Sequence, residues 1–187
     1  MPVRPYFIFL IIIFFSNYGL AQKGLYRSDE GQIHFTSDAP LELIQASSGA
    51  LRGVIDPIQN TFAFTIDIQS FDGFNSDLQK THFNENYLES SKHPKATFVG
   101  KIIENLDWEN EGPNEIRAKG FLSIHGVKRE RIIPSQIEIF SDQVIIRSEF
   151  TVPLKEHEID IPKIVAQKIS EEIKVVMEIS LLKQTSN

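Results

Sequence analysis

FDGFNSDLQKTHFNENYLESSKHPKATFVG, residues 71–100, is the one long interruption in a chain that otherwise alternates. Before it, residues 61–71 place Phe62, Phe64, Ile66 and Ile68 on one face. Thr61, Thr65, Asp67 and Gln69 fall on the other. Period two over that length predicts a strand wet on one side, because a helix would scatter those apolar residues around its circumference. After the interruption, residues 96–103 resume the pattern with Phe98, Gly100 and Ile102 aligned. Between the two strands lie polar, helix-capable turns. Asn75 or Ser76 can cap a short helix by accepting a free backbone N–H. Pro94 returns the chain to an extended form. The segment also holds Phe71, Phe74, Phe83 and Tyr87, which is too aromatic for a plain loop. These four are expected to fold over one end of the domain as a lid or plug.

Outward from this stretch the alternation continues. Toward the N-terminus, residues 32–36 and 50–55 read as strands, and residues 41–44 as a short strand or turn. Residues 22–30 read as a loose lead-in or a first edge strand. Toward the C-terminus, residues 115–124 put Ile116, Ala118, Gly120, Leu122 and Ile124 inward. Residues 128–140, 143–152 and 173–181 follow, with Pro134 implying a bulge or an edge position. A polar loop over 105–114 holds Trp108, and residues 164–168 suit one helical turn. Seven or eight strands joined mostly by turns predict an all-β domain with short helices, as an antiparallel sandwich or a closed barrel. Small residues on the inner face (Gly53, Gly100, Ala118, Gly120, Ser148) fit two accounts. They either widen the lumen of an eight-stranded barrel or mark bulges where strands curl.

The N-terminus reads differently. Arg4 precedes nine consecutive apolar residues, Phe7 to Phe15, and Gly19 and Ala21 stand where a signal peptidase cuts. A run this short is a secretory signal rather than a span, which needs about 20 apolar residues. The expected organisation is therefore a signal peptide, residues 1–21, and one domain, residues 22–187. The protein is expected to be exported, periplasmic or secreted, with no stable membrane anchor after cleavage. The chain has no cysteine, so apolar burial must replace disulfides, and the ten of its 14 phenylalanines that lie beyond the leader serve that need.

Charge excludes one class of partner. The chain carries 19 basic and 25 acidic residues, net −6, and loss of Arg4 with the leader takes this to −7. No basic face for nucleic acid is visible. No catalytic motif appears: GxSxG, HExxH and the phosphate-cradling glycine loops are all absent. No pair among His34, His82, His93, His125 and His157 has helical metal-site spacing, so no metal ligand is assigned. Neither a cofactor nor a catalytic residue is expected. Phe121, Val176 and Leu182 fall on the outer face, a covered surface that a homodimer would suit.

An apolar interior remains. Phe62, Phe64, Ile66, Phe98, Gly120, Leu122, Ile146 and Phe150 are the expected barrel lining. Apolar burial at ~25 cal/mol per Å2 would make such a lumen a host for an alkyl or isoprenoid chain, with little to offer a sugar or nucleotide. The same residues packed solid would give an interaction module without a ligand.

The run HFNENYLESSKHPKATFVGKI, then IRAKGFLSIHGVKRERIIP, resembles the YceI-like family. Within it, residues 120–129 (GFLSIHGVKR) match that family's strand and turn, and the later IIRSEFTVPL and EEIKVVMEISL resemble its last strands. The resemblance implies a lipocalin-like antiparallel barrel, export, and in some members a bound polyisoprenoid or fatty-acyl molecule. It implies no catalytic residue. The leading expectation is an exported binding protein for an apolar chain, ahead of a solid interaction module and an enzyme at the barrel mouth.

Overall fold

The computed structural model describes residues 24–184. The expected signal peptide, residues 1–21, lies outside them. Ten strands form one antiparallel sheet: β1 (Tyr26–Ser28), β2 (Gly31–Ala39), β3 (Glu42–Ser48), β4 (Arg52–Asp56), β5 (Thr61–Asp67), β6 (Lys95–Ile102), β7 (Gly112–Ile124), β8 (Val127–Ile139), β9 (Gln143–Pro153) and β10 (Glu172–Lys183). The sheet order is β1-β4-β5-β6-β7-β8-β9-β10, and β1 pairs back onto β10. That ring is a closed eight-stranded barrel, with β8 and β9 parted before Ser135 and, among the described residues, with β3 paired to no strand but β2.

β2 and β3 continue the first two staves. Along β10, residues Lys174 to Ile179 pair with β2, and Leu182 and Lys183 pair with β1. β1 and β2 are therefore one long stave broken at residues 29–30, and β3 and β4 a second broken at residues 49–51. The three-residue β1 closes the ring between β4 and β10, so it is not the edge strand that residues 22–30 suggested. Counted by staves, the connectivity is a simple up-and-down meander.

Registers carry the inward face around the barrel. Phe64 lies beside Phe98, and Phe98 beside Leu122. Ile137, Ile146 and Ile179 form a similar row across β8, β9 and β10. Pro134 sits where β8 stops being free of β9, since their pairing begins at Ser135. Toward one end that seam is bridged by a β8 side chain and by a residue of the loop after β9. Arg131 Nη2 donates to the Thr151 carbonyl at 2.8 Å, and His157 Nδ1–H donates to the Val127 carbonyl at 3.1 Å.

Phe121, Val176 and Leu182 are solvent-exposed as expected of outer-face residues. They do not lie together, because Phe121 is on β7 and the other two on β10, with β8 and β9 between. Lys128 Nζ covers the Phe121 ring at 4.5 Å.

Candidate functional site

One end of the barrel is closed by connections of at most nine residues, and the other carries the two long ones, residues 68–94 and 154–171. At the short-turn end, Trp108 folds inward from its loop and stacks on Tyr26 with ring centroids 5.6 Å apart. Its indole Nε1–H donates to Asn60 Oδ1 at 2.9 Å, so the polar atom is not stranded by burial. Around this pair, Ile55, Ile139, Val144 and Leu181 are at most 1% exposed. Burial, then the Glu109 carboxylate, raises the Tyr26 phenol above its ordinary pKa.

Above this floor the interior opens. A cavity of about 470 Å3 runs toward the other end. Its walls include Phe62, Phe64, Phe98, Leu122, Ile146 and Phe150. The inner serines Ser135 and Ser148 bond to each other at 2.6 Å and offer little to a ligand. Polar groups collect at the mouth, where Glu42, Gln79, His82 and Lys168 line the cavity.

The mouth is covered by the connection from β5 to β6. Ser76 accepts the Gln79 N–H at 3.2 Å and caps helix α1 (Asp77–His82). The helix widens into a π turn, Phe83–Tyr87, a device often found at functional sites. Phe83 stacks on Phe35 of β2 at 5.4 Å and meets Phe71 and Phe74 at 5.8 and 5.1 Å. Tethers hold the rim of this lid. Asn75 Nδ2–H donates to the Leu43 carbonyl at 2.9 Å, and Gln79 Nε2–H to Glu42 Oε1 at 2.9 Å. The helix itself buries no residue, and Leu78 is 64% exposed while still facing the cavity.

The family model described as a YceI-like domain matches residues 17–181. The chain belongs to the YceI-like family. A polyisoprenoid-binding domain of Saccharophagus degradans, implicated in plant cell wall breakdown, matches with a TM-score of 0.72 at 12% identity, over 87% of this chain and 99% of that one. Burkholderia cenocepacia BcnA gives 0.66 at 15% identity, over 82% and 96%. A Campylobacter jejuni YceI protein gives 0.54 at 17% identity, over 70% and 78%. At these identities the likeness is one of fold. No curated protein matches the chain.

Within this YceI-like barrel, seven of the eight residues named from alternation face the cavity: Phe62, Phe64, Ile66, Phe98, Leu122, Ile146 and Phe150. Gly120 does not. It lies opposite Gly100, and a Cβ there would stand 2.4 Å from the Val99 carbonyl oxygen. The glycine pair lets β6 and β7 approach, which is neither lumen widening nor a bulge. Gly53 leaves room for the Phe64 ring, which a Cβ would meet at 2.5 Å. Ala118 and Ser148 do border the cavity. Among the lid residues, Phe71 is buried in the wall, whereas Phe74, Phe83 and Tyr87 are half-buried along the cavity.

Alternation missed two groups. Phe35 is the ring on which Phe71, Phe74 and Phe83 converge, and only the pairing of β2 with β10 brings it there. The second is a polar cluster at the rim. Glu89, His93 and His125 come together from two separate turns, although spacing in sequence had suggested no such group. Lys92, then His125, holds the Glu89 carboxyl below the usual carboxylate range.

Proposed function

We propose that this protein is an exported carrier that encloses an apolar chain, of the polyisoprenoid or fatty-acyl class, in its barrel. The observation that carries the reading is the cavity of about 470 Å3, walled mainly by hydrocarbon, with its charged groups at the mouth. That volume falls within the range of about 300–1,000 Å3 typical of ligand pockets. Each methylene moved from water into such a wall contributes about 0.8 kcal/mol. The arrangement suits a ligand with a long apolar body, lying against Phe64, Phe98, Leu122 and Phe150, and a polar end beside Glu42, Gln79, His82 and Lys168. The polyisoprenoid-binding domain of Saccharophagus degradans, with the same fold, supports the ligand class. The cavity favours this reading over an interaction module with a solid interior.

Native mass spectrometry of protein purified without detergent tests the proposal. The expected result is a bound species of defined lipid mass, released by organic extraction. Bare protein that also fails to take up a fluorescent fatty acid would falsify it. Export is tested separately, by N-terminal sequencing of protein recovered outside the cytoplasm, with Gln22 as the expected first residue.

A further inference from the structure

The β7–β8 hairpin turns through His125 and Gly126, both at positive φ (52° and 74°). Two consecutive residues of this kind match a type I′ turn, the tight hairpin connection that follows strand twist. The turn projects the His125 ring beside the lid's return path. There His125 Nδ1–H donates to the His157 carbonyl at 3.2 Å. With Nδ1 committed as a donor, Nε2 of the neutral ring presents a lone pair. That lone pair faces Glu89 Oε2 at 3.2 Å. Two acceptors at this distance need a positive charge between them, either a proton or a cation.

His93 completes the group. The His93 N–H donates to the Glu89 carbonyl at 2.9 Å, which fixes the two residues on one turn. Its ring packs on the bare Cα of Gly126, where a Cβ would stand 2.6 Å from Cε1. It meets the His125 ring edge-on at 5.0 Å. Ligand atoms of all three residues lie within 4.8 Å of one another, and all three are half-buried. Tetrahedral zinc, with bonds of about 2.0–2.2 Å, sets its ligand atoms about 3.3–3.6 Å apart. Glu89 and His125, at 3.2 Å, fall about 0.1 Å short of that spacing, and the His93 ligand atom stands within 4.8 Å of both. The backbone carbonyl behind His125 is the partner that orients a metal-ligating histidine. Lys92 takes the other Glu89 oxygen, Oε1, and leaves Oε2 for the cation.

We infer that Glu89, His93 and His125 form a binding site for a zinc-class divalent cation. Two imidazoles and a carboxylate favour zinc, cobalt or nickel over calcium or magnesium. The ion would join the C-terminal foot of the lid to the β7–β8 turn, next to Leu88 and Ile124, which both border the cavity. Its role is to pin the lid rather than to catalyse a reaction.

The test uses purified full-length protein freed of metal with EDTA. Added Co2+ is expected to produce visible absorption bands of a low-symmetry nitrogen/oxygen site. Zn2+ at a hundredfold excess over its Kd is expected to raise Tm by about 5–10 °C. His93→Gln is expected to abolish both responses and leave the metal-free Tm and circular dichroism unchanged. His125→Gln should do the same, but it also loses the contact to His157, so His93→Gln is the deciding variant. Glu89→Gln should weaken Zn2+ affinity at least tenfold. Absence of both responses in the wild type overturns the site. So does a response that persists undiminished in His93→Gln, since the ion would then be held elsewhere.

Discussion

The two ends of the barrel share strands β5 to β10 and differ in what lies beyond them. At one end, short turns and an inward tryptophan bring the inner face to full contact. Ile139, Val144 and Leu181 are at most 1% exposed there. At the other end the same strands run into connections of residues 68–94 and 154–171, which arch over the opening instead of filling it. Ile173 and Met177, on the same face of β10 as Leu181, border the cavity. Whether an inward residue is core or lining depends on the connection at the strand's end, not on the strand.

The comparison can be broken most severely at the sealed end. Trp108→Ala removes the stack on Tyr26 and strands Asn60 Oδ1, and should cost about 3–5 kcal/mol in urea unfolding. Loss of less than about 1 kcal/mol would show that the floor is not what holds the barrel. Gly120→Ala comes next. Its Cβ meets the Val99 backbone, so it should destabilise by about 1–3 kcal/mol. Leu122→Trp, two residues along the same strand, points into open space instead. It should stop uptake of a fluorescent fatty acid while Tm changes little, and unchanged uptake would count against the lumen as the binding site. Phe83→Ala loosens the cover, costs about 1–2 kcal/mol through lost ring contacts, and should mainly speed ligand release in stopped-flow measurements.

The smallest effect concerns pH. His157 is fully buried in the seam between β8 and β9, and burial pulls its pKa below the ordinary 6.5, against the pull of the Val127 carbonyl. The unfolded chain therefore binds this proton more readily than the folded one. The stability contribution is complete above about pH 6.5 and is lost as pH falls below it toward the folded-state pKa. His157→Asn, which can still donate to Val127, should flatten the pH dependence of urea midpoints in that window. An unaltered slope would place its origin in other groups.

Much of this was readable from residue order. Alternation located β5 to β10 to within a few residues, and Ser76 was one of two expected helix caps. The aromatic content of the break between β5 and β6 sets Phe71, Phe74, Phe83 and Tyr87 apart from an ordinary loop, although Phe71 belongs to the wall. What alternation does not contain is closure. β1 has three residues, too few for a period, yet it joins the ring. Trp108 sits in a polar loop, and only a barrel end explains why it turns inward. Gly120 shares parity with Leu122 but serves strand approach, because period two reports which face a residue takes and not what stands opposite. The rim cluster was unreadable for a related reason: His93 and His125 meet only when two hairpin ends lie side by side.

One hydrogen bond bears on how such proteins diversify. The Ile68 N–H donates to the Pro94 carbonyl at 2.8 Å, directly beyond the paired Asp67 and Lys95. Asp72 and Ser47 of β3 exchange a second pair of backbone hydrogen bonds at 2.8 Å, so to the sheet the free loop runs from residue 73 to 93, however much structure it holds. The entropic cost of closing a loop grows only slowly with its length, by about 0.6 kcal/mol per doubling. The part beyond Asp72 is thus an exchangeable cassette: grafting a different one between Asp72 and Pro94 would recast what the barrel admits without redrawing the barrel.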